Sequence, residues 1–77
     1  MAINNKVMAK ITQSQAKFGR KIQRRRKELG FTQEELAYRV NLSRTHMGHI
    51  EQGRKSPSLK VLNKISKALK TSPKDFF

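Results

Sequence analysis

TQEELAYRVNLSRTHMGHIEQG, residues Thr32 to Gly53, is the stretch that decides the fold. Thr32 with Glu35 three residues on forms a capping box, in which hydroxyl and carboxylate each satisfy a backbone NH that a helix start leaves free. Phe31 and Leu36 flank the box as a hydrophobic staple. A helix therefore starts at Thr32, with Leu36, Ala37 and Val40 towards the core and Tyr38 and Arg39 facing out. Asn41 follows, a residue that tolerates the left-handed conformation better than any except glycine. Leu42 and Ser43 then repeat the device: Ser43 caps a new helix, and Leu42 can staple to Met47. Two capped helices this close cannot continue one another, so they must cross.

That crossing is helix-turn-helix geometry. The second helix, Arg44 to about Gln52, gives the core Met47 and Ile50 and little else. Its other faces carry Arg44, Thr45, His46, Gly48 and His49, where an ordinary surface helix carries Glu and Lys. Gly48, a poor helix former, is expected to permit close approach to another backbone. A B-DNA major groove about 12 Å wide admits one α-helix, read from residues near its N-terminal end. Arg44, at that end, can pair bidentately with guanine O6 and N7. Thr45 can offer a methyl or a hydroxyl, His49 lies one turn along the same face, and His46 reaches bases or backbone. These four are the candidate base contacts. Gln33, in the first turn of the preceding helix, is placed to hold a phosphate at the positive end of the dipole. Ser43, Gly48, Arg54 and Lys55 complete the candidate phosphate set around the second helix.

Outward from this unit, Phe18, Ile22 and Leu29 share one face of a helix from about Gln15 to Leu29, stopped by Gly30. Arg20, Lys21, Arg24, Arg25, Arg26 and Lys27 fall on its other faces, more cations than a helix dipole needs. Part of the Arg24 to Lys27 run is a further phosphate candidate. Gly19 costs this helix about 1 kcal/mol relative to Ala, which predicts either close packing there or a later helix start. Residues 1–17 read as a basic arm or an extension of that helix, and residues 18–77 as the domain. Downstream, Ser58 caps a helix from Leu59 to about Lys70 with an apolar stripe of Leu59, Leu62, Ile65 and Leu69. Ser72, Pro73 and Asp75 read as a single closing turn that presents Phe76 and Phe77, both candidates for a dimer interface. Nothing reads as a strand, so the fold class is all-α.

Composition sets the partners. The 77 residues hold 18 Lys and Arg against five Asp and Glu, a net charge of +13, which points to a polyanion. The charge leads the chain: residues 1–30 have nine basic residues and one acidic, residues 31–77 nine and four. Cysteine is absent, so no disulfide or Cys-ligated zinc is expected, and helix packing with dimerisation must carry stability. His46 and His49 lack a third ligand, no catalytic constellation or phosphate loop is present, and no apolar run suits a membrane span. The expectation is a cytoplasmic, DNA-associated protein that is not an enzyme and needs no metal, cofactor or small-molecule ligand.

The run LGFTQEELAYRVNLSRTHMGHIEQGRKSPSLKVLNKISKAL, followed by TSPKDFF, resembles the lambda repressor and Cro-type (XRE-like) helix-turn-helix family, and within it the controller proteins of restriction-modification systems. Gln33, Ala37, Met47, Ile50, Glu51 and Gly53 carry the resemblance. It implies a compact lambda-repressor-like bundle of five helices, with the helix from Arg44 as recognition element and dimers formed around the last helix. It also implies that Arg26 pairs with Glu51 and remains able to reach a phosphate. Asn41 departs from the family's frequent Gly, and His49 stands where some phage members have Gln.

The expected function is sequence-specific, double-stranded DNA-binding transcription regulation by a homodimer on a pseudo-palindromic operator, of the restriction-modification controller kind. Two other readings remain open at this point: a nucleoid-type protein packaging any duplex through charge, and the DNA-binding antitoxin of a toxin pair.

Overall fold

A computed structural model describes residues 13–77, and three of its four α-helices start where the sequence supplies a cap. The elements are α1 (Gln13–Glu28), α2 (Gln33–Arg39), α3 (Arg44–Glu51), α4 (Leu59–Ala68) and a closing 3-10 turn (Pro73–Phe76). No strand occurs among the described residues. Among the described residues the count corrects the expected five helices: there are four, plus a turn of four residues. That last element is too short for i to i+4 bonding. Its NH groups reach back three residues, Asp75 to Ser72 at 3.0 Å and Phe77 to Lys74 at 3.2 Å. Residues 1–12 of the expected arm lie outside the described residues, and 13–17 belong to α1.

The caps set the crossing of α2 and α3. Glu35 NH donates to the Thr32 hydroxyl at 3.0 Å and Thr32 NH to the Glu35 carboxylate at 2.8 Å, completing the capping box. Asn41 takes φ of 62°, in the left-handed region, and Leu42 NH bonds the Ala37 carbonyl at 2.9 Å to close α2. Two residues later the Ser43 hydroxyl accepts from His46 NH at 3.0 Å and α3 begins. Ser58 does the same for α4, accepting from Val61 NH at 3.2 Å.

Between these elements lies one core of Ile22, Leu36, Ala37, Val40, Met47, Ile50, Leu62, Ile65, Leu69 and Phe76. Gly19 resolves as a close approach: a Cβ there would lie 2.5 Å from the Ile50 carbonyl oxygen, so α1 rests against the backbone of α3. Gly53 is doubly required, by φ of 82° and by Ala16, whose Cα would stand 2.9 Å from a Cβ.

Several expectations need correcting. Leu59 is 72% exposed and drops out of the stripe of α4, since it occupies the first turn, at the edge of the core. Ser66 is buried instead, its hydroxyl satisfied by the Leu62 carbonyl at 2.9 Å. Arg26 lies on the buried face of α1, one turn from Ile22, and not among the outer cations. Phe76 belongs to the core of its own chain, edge to face with Phe18 at a ring separation of 6.0 Å, which removes it from an exposed dimer surface. Phe77 stays 77% exposed, although it too touches the Phe18 ring, at 5.2 Å.

Candidate nucleic-acid interface

The exposed side of α3 forms one wall of a shallow open groove of about 240 Å³. Gln33, Arg44, Thr45, Gly48, His49, Gln52 and Arg54 line it. Three segments far from regular continuation meet here: the first turn of α2, the length of α3, and the loop beyond α3. The loop returns because Gly53 is left-handed, which lets Arg54 NH bond the His49 carbonyl at 2.8 Å and Gly53 NH the Ile50 carbonyl at 3.1 Å. Arg54 is thereby folded back beside His49 instead of running on along the axis.

Behind the groove sits a buried polar network. Glu51 is 4% exposed and Arg26 6%, and the guanidinium meets the carboxylate twice, Nε to Oε2 at 2.6 Å and Nη2 to Oε1 at 3.0 Å. Arg26 Nη1 donates to the Phe31 carbonyl at 2.7 Å. Each of its three nitrogens is therefore engaged, and at 6% exposure Arg26 presents little surface to a phosphate. The pairing with Glu51 that the resemblance implied is present, whereas burial leaves the expected phosphate contact without support. Gln33 Nε2 donates to Glu51 Oε1 at 3.0 Å, so the network extends to the groove wall and fixes the amide there. Among the described residues no buried side-chain nitrogen or oxygen lacks a partner, the condition under which a buried ion pair is tolerable.

The electrostatics of the groove follow from what α3 lacks. Glu34 and Glu35 complement the N-terminal end of α2, but the first turn of α3 contains no acid and starts with exposed Arg44. A cation there costs the helix about 0.3 to 1 kcal/mol, so stability does not explain it, whereas an incoming anion meets uncompensated NH groups and a guanidinium together. Among the described residues no carboxylate lines the groove, and Glu51 behind it is paired with Arg26.

The groove thus brings together Gln33, Arg44, Thr45, Gly48, His49 and Arg54. His46, Ser43 and Lys55 do not line it. Ser43 spends an oxygen lone pair on the helix cap, and Lys55 NH bonds the His49 carbonyl at 3.3 Å with its side chain exposed. Among the described residues no other backbone lies within 4 Å of a Cβ placed at Gly48, which would meet the Gln33 amide at 3.7 Å, an ordinary contact. Gly48 gives the Gln33 side chain room to lie across α3. Gln52 was missed by sequence reasoning, though its spacing from Thr45, Gly48 and His49 places it on the same helical face.

Residues 22–76 match the helix-turn-helix family. The chain belongs to that family. Among helix-turn-helix relatives, an uncharacterized HTH-type transcriptional regulator of Methanothermobacter thermautotrophicus is 52% identical over 48 residues, 62% of this chain and 70% of the relative. Control protein C.BamHI of Bacillus amyloliquefaciens is 42% identical over 59 residues, 75% of this chain and 73% of that protein. The crystal structure of the restriction-modification controller protein C.AhdI from Aeromonas hydrophila superposes with a TM-score of 0.82 at 32% identity, covering 86% of this chain and 100% of that one. In this helix-turn-helix protein α2 and α3 are the family's two crossing helices, and α3 carries the groove.

Proposed function

We propose that this helix-turn-helix regulator reads double-stranded DNA by seating α3 in a major groove, and that it acts as a homodimer on a pseudo-palindromic operator. The observation that carries the reading is the gathering of Gln33, Arg44, Thr45, His49 and Arg54 along one groove with no free carboxylate in it. Arg44 and Thr45, both exposed at the start of α3, read base edges, with His49 next and His46 at the margin. Gln33, held by Glu51, places its amide and the dipole of α2 at a phosphate; Ser43, Arg54, Lys55 and the backbone at Gly48 hold the flanking ones. Exposed Phe77 supports a dimer contact, and two copies of α3 would then enter successive major grooves about 34 Å apart. Likeness to C.BamHI and C.AhdI supports a controller role in a restriction-modification system.

Selection of bound duplexes from a random pool tests base reading and symmetry together. A symmetric consensus with two half-sites one helical turn apart is expected. Enrichment of no sequence would instead favour packaging through charge alone, for which the net charge of +13 is the supporting feature.

A further inference from the structure

Lys17, Arg20, Arg24 and Lys27 recur along α1 at intervals of three, four and three residues, which makes them one line on a helix. All four are exposed, and the opposite side of α1 holds the buried Gly19, Ile22 and Arg26. Their neighbours in sequence are occupied: Lys21 Nζ donates to the Phe77 carbonyl at 2.9 Å, Arg25 Nε to the Leu69 carbonyl at 3.0 Å, and Arg26 binds Glu51. The four in the line make no hydrogen bond or ion pair among the described residues, and Glu28, the acid of this helix, is 3.4 Å from Arg25. Helix stability accounts for Lys27, in the last turn, but not for the other three. Lys17 and Arg20 lie in the first half of α1, away from the last turn where cations complement the dipole.

We infer that this stripe is a second DNA-binding surface, which takes the sugar-phosphate backbone of a duplex segment other than the one seated on α3. Ten residues of helix rise about 15 Å. One DNA strand presents a phosphate about every 3.4 Å along its axis, so four cations over that length match a run of about four phosphates. The direction of the stripe separates it from the groove: α1 rests on α3 through Gly19 and Arg26, and the stripe lies on the far side of the same helix. A membrane surface fits less well, because an interfacial helix needs an apolar face to bury and that of α1 is consumed in the core. The inference rests on the groove reading only for the identity of the first duplex.

The test fills the grooves with a donor-labelled duplex selected from the random pool, then adds an acceptor-labelled random-sequence duplex and follows energy transfer between them. Transfer is expected, with a log affinity that falls against log salt with a slope of about −3.6 for four phosphates. The variant Lys17→Gln/Arg20→Gln/Arg24→Gln/Lys27→Gln should lose about tenfold or more of the second binding. Although part of the Arg24 to Lys27 run is a candidate for the first duplex, none of the four lines the groove and all face away from it. The variant's affinity for the selected duplex should therefore stay within about threefold. If this variant melts early, the pairs Lys17→Gln/Arg20→Gln and Arg24→Gln/Lys27→Gln replace it, each expected to halve the slope. Absence of transfer with the native chain overturns the inference, as does a variant that bridges normally. Equal loss of both duplexes also overturns it, because the stripe would then lie on the first. Failure to select any duplex, by contrast, counts against the groove reading alone.

Discussion

The two sides of α3 are built from the same eight residues under opposite rules. On the inner side Glu51 is engaged by Arg26 twice and by Gln33 once, and Met47 and Ile50 are fully buried. On the outer side the Arg44 and Thr45 side chains are exposed and make no hydrogen bond or ion pair among the described residues, and the helix forgoes the acid that would steady its first turn. The inner side is satisfied within the protein; the outer side is left to be satisfied by something else. Binding capacity here consists of polar groups withheld from the fold, and the two sides should therefore answer differently to substitution.

The largest effect belongs to the inner side. Arg26→Met leaves the Glu51 carboxylate buried without its partner and is expected to cost about 3 to 5 kcal/mol in urea unfolding. Adding Glu51→Leu should recover most of that stability, yet DNA affinity should remain low because Gln33 has lost the group that holds it. Recovery of both would show that the network serves the fold only. Gly19→Ala forces α1 off the Ile50 and Glu51 carbonyls and should destabilise by about 1 to 3 kcal/mol, read as a fall in thermal midpoint.

Outer-side changes should reverse the pattern. Arg44→Ala is expected to shift stability by less than about 0.5 kcal/mol while forfeiting about 1 to 3 kcal/mol of discrimination at one base pair. Equal loss on selected and random duplexes would count against base reading. Gly48→Ala sharpens the comparison, because the added methyl finds ordinary space beside Gln33 and should stabilise α3 by about 0.5 to 1 kcal/mol. A drop in DNA affinity in that more stable variant would mark Gly48 as a point of close phosphate approach.

The smallest effect lies in the closing turn. The Thr71 hydroxyl and Ser72 NH donate to the Asp75 carboxylate and hold its pKa below the usual aspartate value. A depressed folded pKa means a contribution present above the unfolded pKa and lost as pH falls through the folded one. Native chain and Asp75→Asn should therefore differ slightly in thermal midpoint at neutral pH and converge in acid.

Local chemistry made much of this legible beforehand. The caps at Thr32, Ser43 and Ser58 and the turn at Asn41 depend on residues no more than a few positions away, and each is found where side-chain type placed it. Periodicity in α1 puts Arg26 among the outer cations because its burial depends on Glu51, 25 residues on; that pairing is implied only by the family resemblance. Leu59 and Ser66 exchanged places for a similar reason: hydrophobicity assigns the stripe, but the edge of the core and one available carbonyl decide it. Lys70 takes φ of 56° at the end of α4, a conformation for which its side chain gives no signal. Within the groove, Gln52 was missed although spacing alone could have supplied it, while the bond from Gln33 to Glu51 required the crossing itself.

Arg25 adds a further consequence. Its Nε and Nη2 bond the carbonyls of Leu69 and Lys70 at 3.0 and 3.4 Å, Lys21 bonds Phe77, and Phe18 packs on Phe76. The first described helix is thus sewn to the last residues across separations of 44 to 56 positions along the chain. During synthesis α1 emerges long before those partners exist, and its cations and Phe18 must wait in solvent for the tail that will cover them. Loop closure of that length is an entropic toll levied late, so the contacts that complete the domain are among the slowest for the nascent chain to form.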